Sequence, residues 1–262
     1  MNTADCVLTG DSLDILPTLP AGVADLVFAD PPFNLRLDYP GYDDDRPPED
    51  YLAFLEGAFR AVLRVLSPTG SLFVAIGQQY QAEVCVLLKR LGLHWRNTIV
   101  WHYTFRPCQR KKFTPSYTPV HYFVVDPDRC TFNAEAVKVP SARQTDYADR
   151  RAKPGGKVPD DVWILRPREA EGFFDPTGDA WHVPRVAGTF RKRQGHVCQM
   201  PVAVLERIVR VASNPGDLVL DPFAGMGTTL AAAQRFGRRY LGVGLDPTTA
   251  AQCRARLLDS SG

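Results

Sequence analysis

Two acid-proline turns, one near each end of the chain, carry the residue types that could do chemistry. The first turn, Asp30-Pro31-Pro32-Phe33, follows the apolar run 25–29 and so stands where a short buried strand ends. Two consecutive prolines stiffen the backbone and remove two N–H donors, so the carbonyl groups of Asp30 and Pro31 need an outside donor. Together with the Asp30 carboxylate and the flat face of Phe33, they suit a planar group with an exocyclic NH2, such as a nucleobase amine. A plain proline-terminated strand with a stacked aromatic ring is the alternative.

The second turn lies within residues 217–229, which predict a strand, a glycine-bearing turn and a helix opened by Thr228 or Thr229. In this layout, backbone N–H groups and a helix N-terminus face a nucleotide-like ligand. The residues of the strand end and turn are Asp221, Pro222, Phe223, Ala224, Gly225, Met226 and Gly227.

The two motifs in this order resemble those of the amino-group DNA methyltransferases that use S-adenosylmethionine. In the β arrangement of that family, a D-P-P-F/Y motif comes first and an F-x-G-x-G motif comes last, as here. The resemblance covers most of the chain except its middle. It implies catalytic roles for Asp30, Pro31, Pro32 and Phe33, and S-adenosylmethionine contacts for Asp221, Pro222, Phe223, Ala224, Gly225, Gly227, Thr228 and Thr229.

Further segments match the family less completely. Asp11, in a Gly-Asp-Ser turn, is implied to hydrogen-bond the cofactor, although an N-cap for the next helix is an equal alternative. Gln199 and Pro201 retain part of a family motif at the methionine end of the cofactor. In that family an acidic residue hydrogen-bonds the ribose hydroxyls of the cofactor. Gly244 stands at its position here, and Asp246 is the nearest carboxylate that could substitute for it.

The middle of the chain is basic, whereas the remainder is acidic. Residues 104–196 hold 17 Lys+Arg against 11 Asp+Glu, a net charge of +6, and the rest carries a net charge of −4 within a total of +2. A basic segment of this kind is typical of proteins that contact DNA phosphates and the base edges in a groove. A solvated, arginine-rich loop without a DNA-binding role is the alternative. The expected DNA-binding residues are Arg106, Arg110, Lys111, Lys112, Arg143, Arg166, Arg168, Arg185 and Arg191.

The elements between the motifs predict the architecture. Strands and helices alternate, which favours an α/β fold: a doubly wound, mostly parallel sheet of the S-adenosylmethionine-dependent methyltransferase type. We expect a catalytic half over residues 1–125, an irregular inserted target-recognition region over 126–195, and the cofactor-binding half over 196–262. The acidic, proline-rich loop after Phe33 predicts a lid over base and cofactor, or an ordinary solvated loop.

Composition excludes other classes of protein. The six cysteines are scattered without a C-x-x-C pair, so neither a metal site nor a disulfide framework is expected. No charged-then-apolar leader and no run of 18 apolar residues occurs, so we expect a cytoplasmic protein without a membrane partner. The expected partner is double-stranded DNA, in a restriction-modification setting, and a homodimer stays open.

The resemblance implies direct methyl transfer to the amine of a flipped base, cytosine N4 or adenine N6. An aspartate-led turn tilts the choice towards adenine, whereas the arginine-rich insertion suits a G·C-rich site and hence cytosine. No Pro-Cys pair follows the early strand, which disfavours covalent attack on carbon-5 of cytosine. The competing functions are transfer to an RNA base or a protein glutamine, a nicotinamide-dependent oxidoreductase that lacks the third glycine, and an inactive DNA-binding protein.

Overall fold

A computed structural model of the chain describes residues 4–102, 109–145, 147–163 and 200–259. The strands are β1 (Cys6–Thr9), β2 (Ala24–Ala29), β3 (Leu66–Ala75), β4 (His94–His102), β5 (Tyr117–Val124), β6 (Val162–Trp163), β7 (Leu218–Asp221) and β8 (Arg239–Gly244). The helices are α1 (Ser12–Ile15), α2 (Pro48–Val65), α3 (Gln81–Arg90), α4 (Ala142–Thr145), α5 (Val202–Ala212), α6 (Thr228–Arg235) and α7 (Pro247–Asp259).

The described strands form one sheet in the order β1-β8-β7-β2-β3-β5-β4-β6. Strand β5 runs antiparallel to both of its neighbours, β3 and β4, and every other pair of neighbouring strands is parallel. Helices cover the sheet, so the prediction of a doubly wound, mostly parallel α/β fold is confirmed. This order places the two acid-proline turns at the ends of the adjacent strands β2 and β7.

Strand β2 shows how the sequence builds a core on each face of the sheet. Side chains alternate along a strand, so Leu26 and Phe28 pack on one face while Val27 and Ala29 pack on the other. The first face is covered by α5, and the second by α2 and α3. The helix α2 on the second face turns one apolar side inward, where Tyr51, Leu55, Ala58, Phe59, Val62 and Val65 are buried.

One boundary differs from the sequence expectation. Residues 67–70 have the Ser-Pro-Thr-Gly composition of a turn that would end helix α2, but they belong to β3, which begins at Leu66 directly after the helix. Leu66 pairs with Ala24 before the register shifts and the main ladder starts at Leu26 and Ser71. The strand is therefore lengthened by tertiary pairing, which local turn propensity does not report.

The described part of the middle region packs onto the sheet. Strand β6 pairs with the edge strand β4, and Val137, Val139 and Trp163 are buried. Val137 and Trp163 belong to the core on the α5 face. The division into residues 1–125, 126–195 and 196–262 stays a prediction. None of the helices that the structure describes is long and apolar enough to cross a membrane.

Candidate active site

The carboxyl ends of four adjacent parallel strands surround a cavity of about 570 Å³. Ligands of open α/β sheets bind at this edge, and the volume falls within the range of roughly 300–1,000 Å³ of small-molecule sites. Among the predicted residues, those that line the cavity are Asp11, Asp30, Pro31, Pro32, Phe33, Asp221, Pro222, Phe223, Ala224, Gly225, Thr228, Thr229 and Asp246. The fold therefore brings the two motifs into one space, although they stand about 190 residues apart in the sequence.

The protein itself holds the later part of the first turn. The Tyr51 hydroxyl donates to the Pro32 carbonyl at 2.6 Å, and the Gln79 amide donates to the Phe33 carbonyl at 2.8 Å. Both bonds fix the backbone just beyond Asp30 and Pro31, which line the cavity. The turn thus presents its acid on a backbone held by two prolines and two side-chain donors.

The two aspartates at the strand ends differ in their surroundings. Burial raises the pKa of Asp30 to about 8, and the negative charge of Asp221 adds to the effect. Burial also raises the pKa of Asp221, but only to about 6, because Thr229 and the Phe223 backbone N–H donate hydrogen bonds to its carboxylate. A group whose charge is poised near neutral pH inside a cavity is the kind that does acid-base or acceptor work.

The glycine loop after β7 has the backbone that the sequence predicted. Gly225 and Gly227 have φ values of 47° and 71°, a region that favours glycine. A Cβ atom on Gly227 would lie 2.3 Å from the Cys253 Sγ, so this glycine is required by the packing of α6 against α7. Gly227 is not among the described residues that line the cavity, whereas Gly225 is. The two glycines thus have different positions relative to the cavity.

The Gly-Asp-Ser turn after β1 is tied to the loop after β7. The Asp11 carboxylate accepts a bond from the Leu13 N–H at 2.8 Å and so caps helix α1. The Ser12 hydroxyl donates to the Pro222 carbonyl. The N-cap alternative is therefore present in the structure, while Asp11 also lines the cavity and its contact with the cofactor stays a prediction.

The end of β8 holds the proposed substitute for the missing acid. A Cβ atom on Gly244 would lie 3.3 Å from the Ala250 Cβ, so the start of α7 leaves little room for a side chain there. Asp246 Oδ2 accepts bonds from the Thr249 N–H and hydroxyl, both at 2.7 Å. Asp246 therefore stabilises the start of α7 and lines the cavity at the same time.

Several residues that line the cavity were not anticipated as site residues. They are Leu35, Leu37, Tyr39, Tyr42, Arg46, Phe54, Trp101, Thr118, Met200 and Leu245, among others. The first five belong to the loop between the first turn and α2, for which the sequence predicted either a lid or a solvated loop. Its position beside the first turn was the available signal. The loop forms a wall of the cavity, and a lid motion stays a prediction.

The remaining predictions concern residues at the margin of the site. Arg110, Lys111, Lys112 and Arg143 are exposed, and residues 109–116 lead into β5, whose Thr118 lines the cavity. Pro201 directly precedes α5 and is not among the described residues that line the cavity. The predicted residues outside the described ranges are Arg106, Arg166, Arg168, Arg185, Arg191 and Gln199.

Comparisons with known proteins identify the family that the chain resembles. A family model described as DNA methylase matches residues 24–253. The chain is 31% identical over 243 residues to the DNA adenine methyltransferase YhdJ of Escherichia coli K12, covering 92% of the chain and 79% of the relative. It is 27% identical to the type II methyltransferase M.HpaI of Haemophilus parainfluenzae, covering 96% and 73% respectively.

Solved structures are similar over almost the whole chain. A putative DNA modification methylase from Thermus thermophilus matches with a TM-score of 0.64 and 26% identity, over 97% of this chain and 95% of that one. The same protein in complex with S-adenosyl-L-methionine matches with a TM-score of 0.60. The cytosine-N4-specific PvuII DNA methyltransferase shares the fold, with a TM-score of 0.67 at 16% identity over 97% and 90% of the two chains.

Proposed function

The chain belongs to the family of N6/N4 DNA methylases and is an S-adenosylmethionine-dependent DNA amino-methyltransferase, and we propose that it methylates the exocyclic amine of a base flipped out of double-stranded DNA. The transfer is direct, without a covalent bond between protein and base. One observation carries this proposal: the acid-proline turns after β2 and β7 line one cavity, because these two strands are neighbours in the sheet. A turn suited to a planar amine thus lies beside a glycine loop suited to a nucleotide-like cofactor.

The cavity fits the cofactor in its volume and its backbone. The left-handed Gly225 lets the loop approach a ligand without a Cβ atom in the way, and Thr228 opens helix α6 beside it. We propose that this loop, Asp11 and Asp246 hold S-adenosylmethionine, with Asp246 in place of the acid that Gly244 lacks. When bound, the cofactor supplies an electrophilic methyl group on its sulfonium.

The residues of the first turn then prepare the nucleophile. An exocyclic base amine is poorly nucleophilic because its lone pair is delocalised into the ring. Acceptance of its two hydrogens by the Asp30 carboxylate and the Pro31 carbonyl draws the nitrogen towards sp3 geometry and directs its lone pair. Phe33 stacks on the ring of the flipped base. After transfer the nitrogen carries one proton too many, and a carboxylate with a pKa of about 8 is a suitable acceptor for it.

Adenine N6 is the first candidate for the methylated atom. The relative with 31% identity over 92% of the chain is named a DNA adenine methyltransferase. Cytosine N4 is the second candidate, because the basic middle segment contains many arginines, and arginine pairs bidentately with guanine. Both amines present two hydrogens to Asp30 and Pro31, so the turn itself accepts either base.

A product analysis tests the proposal. The protein is incubated with labelled S-adenosylmethionine and plasmid DNA, and the DNA is digested to nucleosides that are separated and identified. N6-methyladenine is expected. N4-methylcytosine would move the assignment to the second base with the same mechanism, and 5-methylcytosine would refute direct transfer to an amine. RNA and a glutamine-containing peptide are the control acceptors, and labelling of either in preference to DNA would refute the proposed substrate.

We propose that the exposed basic residues Lys111 and Lys112 contact DNA phosphates. Their joint replacement by glutamine is expected to weaken binding of all DNA sequences alike, because phosphate contacts carry no sequence information. The slope of log binding constant against log salt concentration should fall by about one unit per lost contact. Replacement of the exposed Lys89, which lies over the Trp95 ring, is the matched control. An unchanged slope in the Lys111/Lys112 variant would remove this cluster from the DNA-binding surface.

A further inference from the structure

Three consecutive aspartates in the loop between the first turn and α2 have different surroundings. Asp43 and Asp45 are exposed, whereas Asp44 is 2% exposed. The Asp44 carboxylate accepts bonds from the backbone N–H groups of Asn34 at 2.8 Å and of Leu35 and Leu37 at 3.0 Å each. In addition, the Arg36 N–H donates to the Asp44 carbonyl at 2.9 Å. Four successive backbone N–H groups thus end on a single residue.

The backbone of these donors is unusual. Asn34 and Arg36 have φ values of 57° and 61°, which are uncommon for residues other than glycine and cost about 1–3 kcal/mol each. Successive N–H groups in such a conformation form a concavity that binds anions. In this protein the anion is the chain's own carboxylate. The strain at Asn34 and Arg36 is therefore offset by the bonds to Asp44.

A second clamp closes the same loop. The Asn34 side-chain oxygen accepts a bond from the Arg46 N–H, and its amide nitrogen donates to the Arg46 carbonyl, both at 2.8 Å. The amide nitrogen also lies 3.2 Å from the Tyr80 hydroxyl. Residues 34 and 46 are thus joined side by side, and bonds within the chain close the intervening segment on itself.

The closed loop reaches from the first turn to the glycine loop after β7. Leu35 and Leu37 line the cavity near the first turn, and Tyr42 and Arg46 line it further along the loop. The Arg46 guanidinium lies 4.3 Å from the centre of the Tyr42 ring and 5.1 Å from that of the Phe54 ring. Phe54 in turn contacts Phe223 of the glycine loop, with ring centres 6.2 Å apart. The segment that begins at the catalytic turn therefore ends against the cofactor loop.

We propose that Asp44 is a positioning residue, which holds residues 34–46 as a preformed wall of the cofactor cavity before any ligand binds. The proposal rests on the proposed function, because that function assigns the cavity to S-adenosylmethionine. Asp44 itself touches neither substrate. It acts through the backbone N–H groups of the wall and, by way of Tyr42 and Phe54, on the loop that carries Phe223.

The test compares Asp44→Asn with Asp160→Asn. Asparagine has the shape of aspartate but offers one acceptor oxygen to three donors and turns an NH2 group towards an N–H. Asp160 is the matched control, because it is an exposed aspartate that pairs with Lys157, lies outside residues 34–46 and does not line the cavity. The dissociation constant of S-adenosylmethionine is measured by calorimetry in the absence of DNA. We expect it to rise about 10–100-fold in Asp44→Asn, since only the fraction of molecules with a formed wall binds. It should stay unchanged in Asp160→Asn.

Two further readouts separate positioning from a general loss of folding. Hydrogen exchange of the amides of residues 34, 35 and 37 in the ligand-free protein should quicken in Asp44→Asn, while that of β2 and α2 stays as in the wild type. At saturating cofactor, kcat should stay within about threefold of the wild type while the KM for the cofactor rises. If Asp44→Asn does not fold, Asn34→Gly serves instead, because glycine tolerates the same φ but removes the second clamp.

Folded variants with wild-type affinity for S-adenosylmethionine and wild-type exchange in the loop would overturn the proposal. A fall in kcat with an unchanged KM for the cofactor would also overturn it, because the wall would then act on the chemical step. Methylation of DNA by the wild-type protein is measured in parallel. If the wild type binds S-adenosylmethionine but does not methylate DNA, the proposed function fails, while the effect of Asp44 on cofactor binding is still decided.

Discussion

The turns Asp30-Pro31 and Asp221-Pro222 are alike in sequence and in position, but they differ in how their carboxylates are bonded. Each follows a buried strand, and those strands, β2 and β7, are paired neighbours. The Asp221 carboxylate accepts bonds from Phe223 and Thr229 of its own loop. For Asp30, burial and the Asp221 charge determine the pKa, and no hydrogen bond from a described residue contributes.

The difference separates an aspartate whose carboxylate is bonded within its own loop from one whose carboxylate has no such bond. A carboxylate that loses water without gaining donors is costly, and proteins retain such groups mainly where function needs them. Under the proposed function, Asp221 shapes the cofactor site and Asp30 offers its acceptor oxygens to the base amine. The substitutions below test this difference, in order of decreasing effect.

Replacement of Asp30 by alanine should cause the largest loss of activity. Removal of one preorganised transition-state partner is expected to lower the rate of methyl transfer by about 10²–10³-fold. The affinity for S-adenosylmethionine should stay within about twofold, since Asp30 belongs to the base side of the cavity. The measurements are single-turnover methylation of plasmid DNA and calorimetric titration of the cofactor. If affinity and rate fall by the same factor, the assignment of the base to the first turn and of the cofactor to the second is wrong.

Gly225→Val should show the opposite pattern. A β-branched residue at a φ of 47° is strained by about 1–3 kcal/mol, so the loop of the free protein should relax to another backbone conformation. Binding must then restore the strained conformation, which corresponds to roughly a 5–150-fold loss of cofactor affinity. Gly216→Val is the control, because Gly216 also has a positive φ, of 88°, but has open space around its Cβ position and does not line the cavity. Wild-type cofactor affinity in Gly225→Val would show that the loop serves only the fold.

The raised pKa of Asp30 should also be visible in the stability of the protein. Its pKa is raised from 3.8 to about 8 on folding, so folding is favoured while both states are protonated and loses free energy as the pH rises from about 4 to 8. Asp30→Asn removes this titration. We expect the variant to be about 1–3 kcal/mol more stable than the wild type at pH 8–9, and equal to it near pH 4.

Urea unfolding across that pH range measures the effect on stability. Asp221→Asn is the comparison, since the pKa of Asp221 is raised only to about 6 and its bonds to the loop persist in part. A constant difference between Asp30→Asn and the wild type at all pH values would show that the carboxyl does not titrate as described.

The smallest effect is the electrostatic influence of one turn on the other. If the Asp30 carboxylate is the acceptor, kcat/KM for the cofactor should rise with pH and reach half its maximum near pH 8. Asp221→Asn removes a like charge, so this midpoint should move to lower pH by roughly half a unit to one unit. A midpoint that moves upward, or stays in place, would show that the two carboxyl groups are not coupled.

The sequence was sufficient for the parts of the fold that obey local rules. The apolar runs before Asp30 and Asp221 mark buried strands, and the stripe from Tyr51 to Val65 marks the helix that covers them. The two motifs identified the cavity because parallel strands deliver their carboxyl ends to one edge of a sheet. These predictions depend on periodicity and turn chemistry within a few residues.

Other features depend on contacts that have no local pattern. Residues 66–70 extend a strand because Leu66 meets Ala24, and β6 exists because its two residues pair with the edge of the sheet. In the sequence, Asp44 does not differ from the other acids of its loop. In the structure it is buried and bonded to the N–H groups of residues 34–37. The choice among three adjacent aspartates is made by backbone geometry, which composition does not encode.

The pairing of β1 with β8 means that the site does not depend on the order in which its segments follow one another along the chain. The first and last described strands lie side by side, Asp5 N–H donates to the Tyr240 carbonyl, and Arg254 of α7 donates to the Val7 carbonyl. Because α7 follows β8 and also packs against β1, a linker from α7 to β1 would leave the lining of the cavity intact, and the chain could then be opened at a surface loop elsewhere. A circular permutant in which the glycine motif precedes the D-P-P-F motif is therefore expected to assemble the same pocket.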